Sequence, residues 1–254
     1  MSSKILLLNN ATGGGDTPSP SATLVNDQLY CHLDARDIKS KLWNDRKGNF
    51  NFVSDALLGG IDQTAYNLTC KKSMSHYKRA YCNEFTFGEF PFTLEFTMTA
   101  TAIGSYGVLC ANTTDSLFAL NRRGNDYMGI YSSKMSPNNK PTSLRYDALT
   151  DNTLHIVDFI FANNHQLDVY LDGVLQGSLT DITFNNEFVT ITSLALGNKS
   201  DSSNECITGY LYSFRFYKKA LSDFEIRCNC LYEAAQGRTS TSEASQSQTF
   251  INKW

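Results

Sequence analysis

The sequence predicts an all-β protein, with two stacked sheets, one helix near the C-terminus and an extended tail at each end. Three observations carry this prediction. Apolar and polar residues alternate with period two through several segments, an Asp-Gly pair joins two of those segments, and one stretch alone carries helix-start signals. The 254 residues suffice for one large sandwich, and the 16 Phe and 13 Tyr suit half-buried pleated strands.

The elements follow in order. Residues 85–87 and then 92–99 alternate, with Phe92, Leu94, Phe96 and Met98 on one face. Residues 154–161 are apolar on both faces, as a central strand of a two-layer sandwich would be. Residues 167–171 lead through Asp172-Gly173 into 174–179; Asp-Gly suits a type I′ hairpin because both central residues need positive φ. Residues 189–196 and 208–217 give two further strands. The helix is expected over 223–236. Ser222 and Glu225 form a capping box, Leu221 and Ile226 a hydrophobic staple, and Phe224, Cys228 and Leu231 the face that packs on the sandwich.

Composition divides the chain into a globular region over 23–237 and two tails. Residues 1–22 hold Ile5, Leu6, Leu7 and Leu8, then Gly13-Gly14-Gly15 and Pro18-Ser19-Pro20, which read as an anchor and a linker. Residues 238–254 are Ser/Thr/Gln-rich and end on Phe250, Ile251 and Trp254. The first apolar run stops after four residues, short of a secretory signal, so the sequence predicts synthesis in a cytosol. No run reaches the length of a membrane span. A net charge of −3 and a densest basic cluster of only Lys71, Lys72, Lys78 and Arg79 argue against nucleic acid. The seven cysteines lack the paired spacing of a zinc site and read as reduced, buried thiols.

Residues 153–236 resemble the C-terminal half of the laminin-G-like, concanavalin A-like jelly-roll superfamily. The resemblance rests on His155, the Leu-Asp-Val-Tyr-Leu-Asp-Gly string ending at Gly173, Leu194 to Gly197, Gly209 to Tyr217, and Ala220-Leu221-Ser222 with Glu225-Ile226. At the front, the strand from Leu29 to Ala35 and the turn with Trp43, Asp45, Gly48 and Asn49 are similar to that family's opening. The resemblance implies that residues 29–35 pair with 208–217 at the sheet edge.

Some members of this fold cleave glucans, using carboxylates spaced on one strand face as E-x-D-x-x-E. No such string occurs here. Glu84 and Glu89 come closest, but five residues apart on a strand they would face opposite ways, so no catalytic residue is assigned. The four histidines, at 32, 76, 155 and 165, are read as structural. Laminin-G domains often hold calcium at the rim, which makes Asn198, Asp201 and Asn204, and earlier Asp115 and Asn121, candidate ligands; turn formation is the preferred reading of the same residues. Tyr106, Tyr127, Tyr131 and Tyr146 are candidates for a sugar platform, with sandwich filler the preferred reading.

Two functions are expected. The first is a non-enzymatic structural or decoration protein of a virion, since the opening ten residues and Gly-rich linker resemble tailed-bacteriophage structural proteins. Its partners would be assembly subunits bound through Ile5, Leu6, Leu7, Leu8, Phe250, Ile251 and Trp254. The alternative is a carbohydrate-binding lectin module, with a host glycan as ligand and calcium as a candidate cofactor.

Overall fold

A computed structural model describes residues 19–53, 66–67, 79–104, 107–111, 116–123, 126–197 and 207–236. In chain order the strands are β1 (Leu29–Lys39), β2 (Leu42–Asp45), β3 (Asn51–Val53), β4 (Tyr66–Asn67), β5 (Arg79–Cys82), β6 (Phe92–Ile103), β7 (Gly107–Ala111), β8 (Ser116–Arg123), β9 (Tyr127–Tyr131), β10 (Met135–Ser136) and β11 (Asn139–Arg145). After helix α1 (Tyr146–Leu149) come β12 (His155–Asn163), β13 (Gln166–Leu171), β14 (Val174–Leu179) and β15 (Thr183–Phe184). Helix α2 (Asn186–Val189), β16 (Leu194–Gly197), β17 (Ile207–Tyr217) and helix α3 (Asp223–Ala235) complete the chain's elements.

Hydrogen bonding links most strands into one antiparallel ribbon, β11-β9-β8-β7-β16-β5-β3-β2-β1-β17-β6-β12-β13-β14. The ribbon folds over at β2 and β3, so its halves stack as the two layers of a sandwich. Phe118 of β8 meets Phe159 of β12 edge-on, with ring centroids 4.6 Å apart. Phe92, Phe161 and Phe188 fill the same interior as a nearly stacked group. Such aromatic pairs add about 0.5–1.5 kcal/mol each beyond the apolar area they bury. Phe92, Leu94, Phe96 and Met98 all point into this core, as the alternation predicts. At the Asp-Gly hairpin both residues take positive φ, 49° at Asp172 and 78° at Gly173.

The opening motif owes its shape to one carboxylate. Asp45 Oδ1 accepts the backbone N–H groups of His32 and Lys47, and Oδ2 those of Asn49 and Phe50. Trp43 donates its indole N–H to the Asp34 carbonyl at 2.7 Å, while Arg36 forks onto the buried Asp34 carboxylate. Together these residues fix the ribbon's turn between layers. At the other end, buried His155 bridges Asp151 and Asp172 and pins the hairpin to β12. Burial alone would lower the His155 pKa, but the two carboxylates hold it up at about 9.

Several expectations need correction. Strands β1 and β17 do pair, with Cys31 opposite Phe216 and Asp34 opposite Ser213. They lie mid-ribbon, however, because β2 and β6 flank them. Phe85 and Phe87 are buried, but residues 85–87 form no strand. The strand expected over 189–196 shortens to Leu194–Gly197; the preceding turn of α2 lets Phe188 enter the core, closed by Thr190 bonding to the Asn186 carbonyl. Helix α3 has the expected capping box, but its phase differs. Ile226, Cys228, Asn229, Cys230 and Glu233 are buried, whereas Phe224 is 39% exposed. Polar partners on the sheet beneath set that phase.

Candidate carbohydrate-binding face

A sandwich offers two outer sheet faces, and here helix α3 covers one. Leu29, Ile156, Ile160, Tyr170 and Tyr217 of the β1-β17-β6-β12-β13 layer pack against Leu221, Ile226 and Cys230. Under the helix runs a polar row in register across four strands: His32, Arg215, Glu95 and Asp158. Arg215 is fully buried and bonds both Glu95 and Glu233. Asn229 donates to Glu95 at 2.6 Å and to the Tyr217 hydroxyl at 2.9 Å, while its oxygen accepts from Val25. Burial and the adjacent Glu95 push the Asp158 carboxyl well above the usual range, which favours its protonated form. A protonated carboxyl beside a second carboxyl is the pair that glycoside hydrolysis uses. Both groups are sealed beneath the helix at zero exposure, where no substrate reaches them.

The other layer leaves part of its outer face accessible. On β9, Met128 and Ile130 enter the core, so alternation turns Tyr127, Gly129 and Tyr131 outward. Register then assembles three rows across β8, β9 and β11: Ala119, Tyr131 and Asn139; Asn121, Gly129 and Pro141; Arg123, Tyr127 and Arg145. Two tyrosines four residues apart, about 13 Å along an extended strand, thus bracket a glycine that presents no side chain. Tyr127 is 44% exposed, and the Arg145 guanidinium lies 6.0 Å from its ring centroid. Tyr81 and Tyr131 pack against Ala119 and Ala195 on the same face.

Asn121 borders Gly129 and is only 5% exposed, and its side-chain oxygen has no partner among the described residues. A buried amide oxygen without a donor carries a free-energy cost unless something supplies one. A shallow cleft of about 620 Å3 is lined by Tyr127, Pro141, Thr142, Ser143 and Arg145. The Thr142 hydroxyl already bonds the Met128 carbonyl and the Leu144 N–H, so it shapes the cleft wall. An aromatic face and a guanidinium can hold a sugar by stacking and planar hydrogen bonds. They supply no acid–base pair.

A second cleft of about 330 Å3 is lined by Phe87, Gly88, Glu89, Phe90, Pro91 and Lys218. The Lys218 ammonium sits 3.5 Å from the centroid of the Tyr30 ring. Glu89 and Glu84 are both exposed and neither lies on a strand, so the opposite-faces argument expected for them does not apply.

The remaining candidates divide. Asn198, Asp201, Asn204, Asp115, Tyr106, His76 and the tail residues Ile5, Leu6, Leu7, Leu8, Phe250, Ile251 and Trp254 lie outside the described residues. Asn121, expected in a loop, is in strand β8. Tyr146 is filler: it packs on the core and its hydroxyl accepts the Ile103 N–H. Cys31, Cys82, Cys110, Cys228 and Cys230 are free and buried. Gly129 and Arg145 went unrecognised in the sequence, although Tyr-Met-Gly-Ile-Tyr over 127–131 carries the alternation that places both tyrosines on one face.

The sequence profile of the concanavalin A-like lectin/glucanases superfamily matches residues 75–227, more than half of the chain. The chain belongs to the concanavalin A-like lectin/glucanase superfamily. No curated protein matches it in sequence. Solved structures of the same fold include the botulinum neurotoxin serotype D/C binding domain, with a TM-score of 0.56 at 14% identity over 80% of this chain and 52% of that one. Trypanosoma rangeli sialidase, solved with a difluorinated keto-sugar acid, gives 0.56 at 17% identity over 88% of this chain and 34% of that one. Botulinum neurotoxin type C, whose cell entry depends on two ganglioside molecules, gives 0.56 at 15% over 80% and 51%. This superfamily member therefore spans about half the length of the toxin chains and a third of the sialidase. At these identities the likeness is one of fold.

Proposed function

We propose that this protein is a non-enzymatic carbohydrate-binding module that holds a glycan on the outer face of β8, β9 and β11. One observation carries the reading. Tyr127, 44% exposed, stands beside a cleft lined by Pro141, Thr142, Ser143 and Arg145. The Tyr127 ring would take the apolar face of a sugar and the Arg145 guanidinium its polar edge. Two supports come from related structures, the lectin/glucanase family profile and the ganglioside-dependent toxin among the structural neighbours.

The test is a glycan array on the purified protein, followed by calorimetry on the best ligand. Tyr127→Ala should weaken binding by about 2 kcal/mol, some thirtyfold in Kd, as truncation of a central aromatic does. Tyr127→Ala binding as tightly as the parent, with its fold intact, would rule out this face.

A second proposal concerns the tails. Ile5, Leu6, Leu7 and Leu8 at one end, with Phe250, Ile251 and Trp254 at the other, place apolar anchors on polar or Gly-rich tethers. Such anchors suit attachment to the subunits of a larger assembly, with a virion as the candidate particle.

A further inference from the structure

The cleft of Tyr127 and Arg145 is chemically lopsided, and this bears on which sugar it takes. Of its lining residues, Tyr127, Pro141, Thr142, Ser143 and Arg145, only Arg145 is charged. Its Nε and Nη2 fork onto the Asp147 carboxylate, each at 3.0 Å. The two side chains are 53% and 68% exposed, and Asp147 is only two residues further along the chain. Such a solvent-screened local pair contributes little to stability. It does orient the guanidinium, and the Tyr127 ring 6.0 Å away supports it from the side. The Nη1 nitrogen has no partner among the described residues. A guanidinium has five donors in one plane, so the Nη1–Nη2 edge is left to meet a second planar anion two-pronged.

Register fixes what lies across from that edge. The row of Tyr127 and Arg145 and the row of Asn121 and Gly129 are two residues apart along β9, about 6.6 Å at the usual strand rise. That is the scale of one sugar ring. A ring stacked on the exposed Tyr127 would set one side toward Arg145, while Gly129 and Asn121 in the neighbouring row stay buried.

We propose that the glycan bound here is acidic, carrying on its ring a carboxylate that forks onto Arg145. Uronic acids and nonulosonic acids share this chemistry. The inference rests on the glycan-binding reading of the same face and specifies its ligand class. A planar carboxylate matches the guanidinium fork on both oxygens, whereas a neutral sugar leaves that edge to water.

The full chain is titrated calorimetrically against oligouronides, a sialylated trisaccharide, the carboxyl-reduced form of each, and a sulfated neutral oligosaccharide. At least one acid should bind tenfold or more tightly than its carboxyl-reduced form, and the preference should weaken as salt rises. The uronide and sialoside arms separate the two sources of the carboxylate. Arg145→Gln should bring the acidic ligand down to the affinity of its reduced form, and Arg145→Lys should recover only part of the preference. Glu187→Gln, which removes an exposed partner of Lys134, should change nothing. Equal binding of an acid and its reduced form overturns the acidic specificity and leaves the glycan reading standing. Equal binding of the sulfated sugar overturns the requirement for a carboxylate. Binding of no saccharide at all overturns both.

Discussion

Asp45 accepts four backbone N–H groups, one from His32 on β1 and three from Lys47, Asn49 and Phe50 in the turn that follows it. The sequence carries this as a Trp-x-Asp pattern followed by Gly48, whose φ of 75° glycine adopts without strain. Asp45→Ala would leave several donors unpaired in a partly buried turn, each costing about 1–3 kcal/mol. A loss of about 3 kcal/mol or more is expected in chemical denaturation; a loss below about 1 kcal/mol would mean that water replaces the carboxylate. At Gly209 the constraint is steric. A Cβ there would lie 1.9 Å from the Thr99 carbonyl oxygen, where β17 and β6 shift register.

At the scale of elements, helix α3 is held more by charge than by its apolar periodicity. Asn229 and Glu233, four residues apart, share the face that meets Glu95, Tyr217 and Arg215. Of the expected face Cys228 is buried but Phe224 is exposed, because a sheet row of Arg215, Glu95 and Asp158 draws polar side chains beneath the helix. Protonated Asp158 links this docking to pH. Burial and the Glu95 charge raise its folded pKa well above the unfolded value of about 4. The folded state then binds a proton that the unfolded chain releases, so this contribution is full below about pH 4 and is lost as pH rises toward the folded pKa. Asp158→Asn keeps the shape and removes the titration. Thermal melts from pH 5 to 8.5 should show the variant gaining on the parent as pH rises, by about 2–4 °C per kcal/mol for a chain of this length. Parallel curves would mean that Asp158 holds no extra proton.

At the scale of the molecule, one ribbon folded on itself has two outer faces with different roles. Helix α3 occupies one, and the other carries the tyrosines, Asn121 and Arg145. The residues placed in the main core and in the cleft fall between Cys31 and Phe216. Deleting residues 1–18 and 238–254 should therefore leave the melting temperature within a few degrees and saccharide affinity unchanged, while abolishing any tail-borne attachment. A large fall in saccharide affinity would place part of the ligand site in the tails.

Local chemistry was enough to settle the strands expected over 92–99, 154–161 and 208–217, the Asp-Gly hairpin and the Ser222–Glu225 cap. Each is decided by residues within a few positions of one another: side-chain alternation, positive φ at Asp172 and Gly173, and free N–H groups at a helix start. Alternation also placed Phe92, Leu94, Phe96 and Met98 on the core face before any partner strand was known. The candidate site was legible only in part. The tyrosines could be noticed, but their neighbours come from β8 and β11, and pairing register is a long-range property that no local pattern encodes. The same holds for Glu95, Asp158 and Arg215, three charges that interrupt three apolar strands far apart in sequence. Only the tertiary structure decided that they share one buried row, because ionisable groups leave water only where partners from other strands and a covering helix meet them.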